Sequence, residues 1–322
     1  MSLRPHPFPP SSLRLTVYNG GAYTDLNQHG PVGIKCLAYD GLGHMGVRRL
    51  SQKAPRQKGT TDLALSQDAR YFGLILELQG RDLIHFGELR EQMLAAFMPR
   101  EGDPLVVTFG VFGKVRALRG NLDGDMDFGA GDRQYTRQVV SVSLKADDPR
   151  LYFPTQREVN FYPTSGEAGW EIPWEIPWTI GAGTANAITT VTYAGGSFAA
   201  AAEYPLLRLF GPIIDPILTN ETTGERLAFP GLSYAAGEFV TIDLGAGPYL
   251  DSSPRIRNHL DVSVEQYLSS DSDLATWHFA PAGELLSSGF RSTGANVIRV
   301  QGTGATTNTR LQMLYYDRFT GV

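Results

Sequence analysis

The chain has 322 residues with 42% hydrophobic content and 36 glycines, which predicts about two domains with ordinary cores and many turns. Its single cysteine, Cys36, excludes an internal disulfide and a cysteine-based zinc site and indicates folding in a reducing cytoplasm. No apolar run approaches the ~20 residues of a membrane span, no apolar segment of a secretory signal opens the chain, and the net charge of −5 argues against a general nucleic-acid binder.

The first half of the chain reads as a series of strands with one helix. Residues 47–59 carry five basic side chains and are predicted to be a solvated loop. A helix is predicted over residues 82–97 with Asp82 as a possible N-cap, because its apolar positions recur at helical spacing. Its core-facing stripe is formed by Phe86, Leu89, Met93 and Phe97, with Leu94 alongside. Strands are predicted at residues 13–18, 32–39, 70–79, 105–109, 111–118 and 138–144.

Residues 170–180 hold three of the four tryptophans and contain a tandem Glu-Ile-Pro-Trp repeat. Its two prolines, four residues apart, exclude a helix interior and predict an extended strap that can pair along one edge only. One face of this strap carries Trp170, Ile172, Trp174, Ile176, Trp178 and Ile180. The three tryptophans and the first two isoleucines are interface candidates, because an apolar face of this size needs a cover. That cover is either the same chain or a neighbouring subunit.

The rest of the chain shows short strands separated by turn signals. Residues 182–202 are rich in Gly, Ala and Thr and are predicted to mix short strands with loop. From residue 204 onwards, the alternation and the lack of a helical stripe predict an all-β sandwich. Its strands are predicted at residues 205–210, 217–220, 226–229, 239–244, 274–279, 297–301 and 311–318.

Two motifs resemble ligand sites only in part. Residues 41–46 formally match the dinucleotide-binding pattern GxGxxG, but no amphipathic helix opens there. Residues 123–127 resemble the start of a calcium loop, yet Phe128 stands where the loop needs glycine and Gln134 where it needs a bidentate glutamate. Both segments are therefore predicted to be turns, and a weak calcium site of another type stays open for the second.

The sequence also lacks the usual catalytic patterns. Its histidines have no metal-ligand spacing, and no GxSxG nucleophile motif occurs. Cys36 lies in an apolar run and is predicted to be a small core residue. Four scattered carboxylates, which would form a glycosidase pair only if the fold brought two of them together, are Asp215, Glu225, Glu238 and Asp243. We therefore expect no enzyme activity, no catalytic residue, no bound metal and no cofactor.

Several weaker motifs occur along the chain in the same order as in one protein family, and together they resemble that family. Residues 220–225, Asn-Glu-Thr-Thr-Gly-Glu, together with the strands that follow them, resemble the C-terminal part of siphophage distal tail proteins, the Dit-like family. Residues 269–274, 294–298 and 314–322 fit the same family. The strands, basic loop and helix of the first half follow the pattern of that family's N-terminal belt domain. The proline-rich start, the tandem repeat and residues 281–293 depart from it.

The resemblance implies a mainly β fold in three segments. Residues 1–155 would form a ring-forming belt domain, a β-sandwich or split barrel with one helix. Residues 156–203 would be a Trp/Pro-rich connector followed by a Gly/Ala-rich segment, and residues 204–322 a galectin-like β-sandwich.

The function implied by the resemblance is structural. Such proteins form a hexameric ring at the tip of a long non-contractile tail, where they join the tail tube protein to a tail-tip hub or tail-associated lysin and in some cases to a receptor-binding protein. DNA would pass through the channel without specific binding, which agrees with an acidic chain. The protein would be made in the host cytoplasm and reside in the virion, with no membrane contact.

A carbohydrate-binding module for host attachment is the alternative function. Sugar sites usually place an aromatic ring against the sugar face, and the candidates here are Trp277 and Tyr249. Trp277 has a competing interpretation as a core residue, because Phe279 lies on the same side of the predicted strand.

Overall fold

The computed structural model describes residues 14–28, 30–43, 46–52, 61–100, 104–111, 114–126, 128, 135–163, 183–245 and 255–321. The tandem repeat with its five interface candidates and Tyr249 lie outside the described residues. The chain divides into two compact units. The first consists of Met1–Pro154 and the returning chain end Phe319–Val322, and the second of Thr155–Arg318.

The first unit is an antiparallel β-structure with one helix. Its sheet has the strand order β2-β1-β7-β8-β9-β6-β3, and β10 also pairs with β8. Alternation explains these strands, since Val140, Val142 and Leu144 of β9 are buried and the serines between them are not. The strands are β1 (Arg14–Asn19), β2 (Ala22–Asp25), β3 (Gly33–Asp40), β4 (Val47–Gln52), β5 (Thr61–Gln67), β6 (Arg70–Gln79), β7 (Leu105–Val111), β8 (Lys114–Leu122), β9 (Arg137–Ala146) and β10 (Leu151–Tyr152).

The helix α1 (Leu83–Phe97) follows β6 and confirms the predicted helix. Asp82 is its N-cap, and the Asp82 carboxylate accepts a hydrogen bond from the backbone N–H of His85 at 2.8 Å. The predicted stripe of Phe86, Leu89, Met93 and Phe97 is buried. At the other end, Asn19 Nδ2 of β1 donates to the carbonyl oxygens of Ala95 at 2.9 Å and Met98 at 3.0 Å. These bonds satisfy carbonyls that the end of a helix leaves without partners.

The strands β4 and β5 correct the prediction of a basic loop over residues 47–59. They form a two-stranded antiparallel ribbon in which Leu50 pairs with Ala64. The prediction was wrong for residues 47–52 because basic side chains report exposure rather than backbone conformation. A two-stranded ribbon exposes both of its faces, so strand pairing and solvated charges are compatible there.

The second unit contains two antiparallel sheets whose alternate residues are buried, the pattern of sheets packed face to face. One has the order β11-β20-β13-β17-β18, and the other the order β12-β19-β14-β15, with β16 paired to β14. The strands are β11 (Arg157–Phe161), β12 (Gly183–Thr192), β13 (Leu206–Phe210), β14 (Ile213–Asn220), β15 (Glu225–Ala228), β16 (Ser233–Tyr234), β17 (Phe239–Asp243), β18 (Arg255–Asn258), β19 (Ala295–Ala305) and β20 (Arg310–Tyr315). The last strand of the chain, β21 (Arg318–Phe319), pairs with β10 in the sheet of the first unit.

The structure differs from the sequence expectation in two places of the second unit. Residues 183–192 form one continuous ten-residue strand, β12, which pairs with β19 along its length. Residues 274–279, predicted as a strand, instead begin with a turn in which the Trp277 N–H donates to Asp273 O at 2.8 Å. A single bridge between Glu203 and Phe279 follows. Apolar side chains line the core in both conformations, so alternation alone did not separate them.

Candidate assembly surfaces

β2 forms one end of the first unit's sheet. Tyr23 on this strand is 76% exposed, and its ring centroid lies 4.7 Å from that of Tyr18 on β1. Among the described residues, no strand pairs with the outer side of β2. An open strand edge of this kind presents backbone donors and acceptors to which another chain can add a strand.

β3 forms the opposite end, and its outer side is covered in part. The backbone N–H of Gln28 donates to Ile34 O at 2.8 Å, and the Asn27 side chain accepts from the N–H of Cys36 at 3.2 Å. Beyond Cys36, Leu37 is exposed on this strand. Within the described part of the chain, the second half of β3 pairs only with β6.

The exposed side of α1 carries apolar side chains among charged ones. Ile84 is 78% exposed and Leu94 is 50% exposed. Glu88 and Glu91 are also exposed on this side of the helix. The apolar side chains therefore stand singly within a polar surface, which is the usual composition of a surface helix with a few exposed apolar residues.

A buried arginine holds the loops of the first unit together. Arg70 donates four hydrogen bonds to backbone carbonyl oxygens between 2.6 and 2.8 Å away. The acceptors are Pro149, Gly41, Gly43 and Thr320. Gly41 has a φ of +89°, and a Cβ there would meet the carbonyl oxygen of Tyr71. The first glycines of the GxGxxG pattern therefore serve a tight turn after β3.

In the second unit, the Asn-Glu-Thr-Thr-Gly-Glu motif builds the hairpin between β14 and β15. Asn220 is fully buried, and its Nδ2 donates to His278 O at 2.7 Å and to Asn296 Oδ1 at 3.2 Å. Thr222 donates to Ala295 O and accepts from the N–H of Val297. The motif thus has a structural role, since it ties two distant segments to one turn.

The motif's last residue, Glu225, belongs to a partly buried charged cluster. His278 Nδ1 lies 3.1 Å from one oxygen of Glu225, and His278 Nε2 lies 2.9 Å from Glu284 Oε1. Burial lowers the pKa of His278, but the hydrogen bonds and charges of the two glutamates outweigh burial and raise this pKa from 6.5 to about 10. The histidine is therefore a cation at neutral pH, clamped between two carboxylates.

A second buried ion pair lies near the end of the second unit. Glu203 and Arg318 are almost completely buried and pair through Glu203 Oε2 and Arg318 Nε. The backbone N–H of Arg318 donates to the hydroxyl of Tyr193 at 2.8 Å, and that hydroxyl donates to Ala201 O at 2.8 Å. Neighbouring Asp317 pairs with Arg157 at 2.6 Å.

The predicted site residues that the structure describes lie in structural roles. Trp277 is fully buried with its ring centroid 5.8 Å from Phe279, so no face of its indole is available to a sugar. Cys36 is buried, and desolvation raises its thiol pKa to about 12 against the opposing hydrogen bond to Ala38.

The four scattered carboxylates each serve a local contact. Glu225 is held by His278, while Asp215, Glu238 and Asp243 accept backbone hydrogen bonds from Gly231, Ala235 and Gly245. In the described part of the chain, no group of three metal-ligating side chains is placed to hold an ion, and no helix is both long and apolar enough to cross a membrane.

Sequence reasoning missed the most connected polar residues. Arg70 carried no local signal, because its four acceptors are spread over the chain and the farthest is 250 residues away. The Glu203–Arg318 pair also joins residues that are remote from each other in sequence. Leu94, which was predicted to lie alongside the core stripe of α1, is 50% exposed, because its position on the helix is turned away from Met93 and Phe97.

No protein-family model matches the chain, and no curated protein matches it either. Its fold is similar to that of the Dit (gp 19.1) protein of phage SPP1, a paradigm of the hub adsorption apparatus in Gram-positive-infecting phages. The superposition covers 94% of this chain and 98% of that chain, with a TM-score of 0.60 and 12% sequence identity.

The fold is also matched to two structures of the phage P2 baseplate in its activated conformation, one with Ca and one with Sr. Both superpositions cover 94% of this chain, and they cover 98% and 97% of the baseplate chains. The TM-scores are 0.45 and 0.43, and the sequence identities are 7% and 8%. The predicted mainly β architecture is confirmed, and the resemblance to distal tail proteins is confirmed at the level of the fold.

Proposed function

We propose that this chain is a structural component of the tail tip of a siphophage, a hub that joins the tail tube to the baseplate and adhesion apparatus. The observation that carries the proposal is the fold likeness to the SPP1 Dit protein over nearly the whole of both chains. Surfaces suited to assembly support it, since the sheet of the first unit has two open edges among the described residues, and Ile84 of α1 is exposed.

The hub is a closed ring of six copies. Ring closure requires a head-to-tail contact, in which each subunit offers two different surfaces. β2 and the second half of β3 meet this requirement, because they end the same sheet on opposite sides. The strap of residues 170–180 would add a further contact through Trp170, Ile172, Trp174, Ile176 and Trp178.

The neighbours of the ring are the tail tube protein on one side and a tail-tip hub or tail-associated lysin on the other. The second unit, a galectin-like sandwich in this proposal, faces outward and carries a receptor-binding protein for host attachment. DNA passes through the channel without specific binding, and the net charge of −5 favours passage over adhesion. The chain's role is mechanical, with no catalytic step.

Matched surface variants test the ring. Ile84→Asp on the helix face and Leu37→Lys on β3 are expected to reduce the assembled mass measured by light scattering, because a charge would be buried in each contact. Phe290→Asp is the control, since Phe290 is 75% exposed but lies in the second unit. Assembly that survives both first-unit variants, or that fails equally in the control, would contradict these contacts.

A further inference from the structure

The outer face of the sheet β11-β20-β13-β17-β18 contains a groove of about 460 Å³. This volume lies in the range of small-molecule sites. The groove is polar, and it is lined by three arginines against two aspartates together with Thr241, Asn258, His259 and Phe239. An excess of guanidinium groups in a concave surface favours an anionic ligand.

Strand register fixes where the arginines stand. Arg208 of β13 lies directly opposite Thr241 of β17, and Thr241 lies directly opposite Arg257 of β18. All three side chains belong to the outward-facing set of their strands. Two guanidinium groups therefore flank a hydroxyl across three adjacent strands.

Two polar atoms of this groove are buried without a partner. Neither Nε of Arg208 nor Nδ1 of His259 makes a hydrogen bond within the described part of the chain. A buried donor left unsatisfied is costly, and such atoms in a folded protein call for an explanation. Both atoms border the same groove, so one ligand or its bound water can satisfy them together.

The acidic residues of the groove are engaged elsewhere. Asp261 accepts from Arg257 Nη1 at 2.8 Å, an exposed pair of the kind that contributes little and exchanges readily with a ligand. Asp243 accepts from the backbone N–H of Gly245 at 3.0 Å. With its carboxylates occupied, the groove is suited to an anion rather than to a cation.

We propose that this groove binds an anionic saccharide, with its phosphate or carboxylate between Arg208 and Arg257. Thr241 and Asn258 bond to the ring hydroxyls, and Phe239 supplies an apolar surface at the side. Phosphate and carboxylate share the planar or forked oxygen geometry that guanidinium groups recognise. This inference does not rest on ring formation, because every residue it uses lies in the second unit.

Titration calorimetry on the full chain tests the groove with four probes, glucose 1-phosphate, glucuronate, glucose and inorganic phosphate. We expect one or both charged sugars to bind, and glucose and inorganic phosphate to bind at least about tenfold more weakly. Arg208→Gln and Arg257→Gln should each weaken the binding of the charged sugar by about tenfold or more. Arg299→Gln, which removes the same charge from the opposite sheet, should leave it unchanged.

The two charged sugars distinguish a phosphate-bearing from a carboxylate-bearing ligand. Arg257 is exposed, so its variant keeps the test valid if Arg208→Gln fails to fold. The proposal would be overturned if neither charged sugar binds, or if glucose or inorganic phosphate binds as tightly as the charged sugar. It would also be overturned if both groove variants bind the charged sugar as tightly as the parent chain.

Discussion

One buried arginine in each unit bonds to a different kind of partner. In the first unit, Arg70 bonds to four backbone carbonyl oxygens. In the second unit, Arg318 pairs with the carboxylate of Glu203, and the partly buried His278 lies between the carboxylates of Glu225 and Glu284. A carbonyl does not titrate in the accessible pH range, whereas a carboxylate and an imidazole do.

This difference separates the two clusters in their response to substitution and to pH. Loss of an arginine that bonds to carbonyls leaves neutral groups without a partner, whereas loss of one member of a buried ion pair leaves an uncompensated charge. The contacts of Arg70 should therefore tolerate changes of pH, whereas the clusters of the second unit should depend on their charge state. Hydrogen exchange with mass spectrometry assigns each effect to its unit.

The largest expected effect is in the core of the first unit. Met93 lies on the buried side of α1 and is fully buried. Met93→Asp should therefore lower the free energy of unfolding of this unit by more than about 4 kcal/mol, because an unpaired charge would be buried. Its neighbour Gln92 is exposed, and Gln92→Asp is the control, with an expected change within about 0.5 kcal/mol. A Met93→Asp variant that unfolds at the same urea concentration as the parent would show that this stripe is not core.

Breaking the ion pair of the second unit ranks next. Glu203→Gln should destabilise that unit by about 3 to 5 kcal/mol, because Arg318 would remain charged and buried. Glu221→Gln, which breaks the more exposed pair with Arg299, should cost less than about 1 kcal/mol. Urea unfolding measures both. Equal losses of unfolding free energy in the two variants would contradict the claim that the buried pair contributes more to stability than the more exposed one.

Replacing the arginine of the first unit should cost somewhat less. Arg70→Met removes four hydrogen bonds to carbonyls, some of which can find water, and we expect a loss of about 2 to 4 kcal/mol. Arg48→Met is the control, because Arg48 is exposed on the ribbon. Increased exchange should appear at residues 41–43, 149 and 320 together. Increased exchange at only one of these places would mean that Arg70 does not connect them.

The smallest effect is a pH dependence confined to the second unit. The folded-state pKa of His278 is raised to about 10 from its ordinary 6.5, so its contribution is fully present below about pH 6.5 and is lost as pH rises towards 10. Urea midpoints of the second unit should fall over this window. Glu284→Gln should flatten the profile, since it removes one of the two carboxylates. An unchanged slope in that variant would argue against the cluster.

Local patterns carried most of the fold prediction. The apolar stripe and the N-cap Asp82 located α1 to within one residue, and β6 was placed at its observed bounds. Where the prediction failed, the sequence feature reported exposure or burial and not backbone conformation. The basic residues of β4 and the apolar residues around Trp277 are the two examples.

Contacts between distant residues could not be derived in the same way. The sequence around Arg70 does not indicate Thr320 as its partner, and the sequence around Glu203 does not indicate Arg318. These pairs exist only once the chain has folded. Residues 220–225 were one of several motifs that carried the family resemblance, and their observed role is to close a hairpin and hold His278. Trp277 shows the converse, since a large aromatic residue that suggested a sugar site is a core residue.

Negative-stain electron microscopy of the purified full chain tests the hub proposal most directly. The proposed function predicts ring-shaped particles whose class averages have six-fold symmetry and whose mass corresponds to six copies of the 35.2 kDa chain. Particles of the size of a single chain at high protein concentration, with the fold intact, would contradict it.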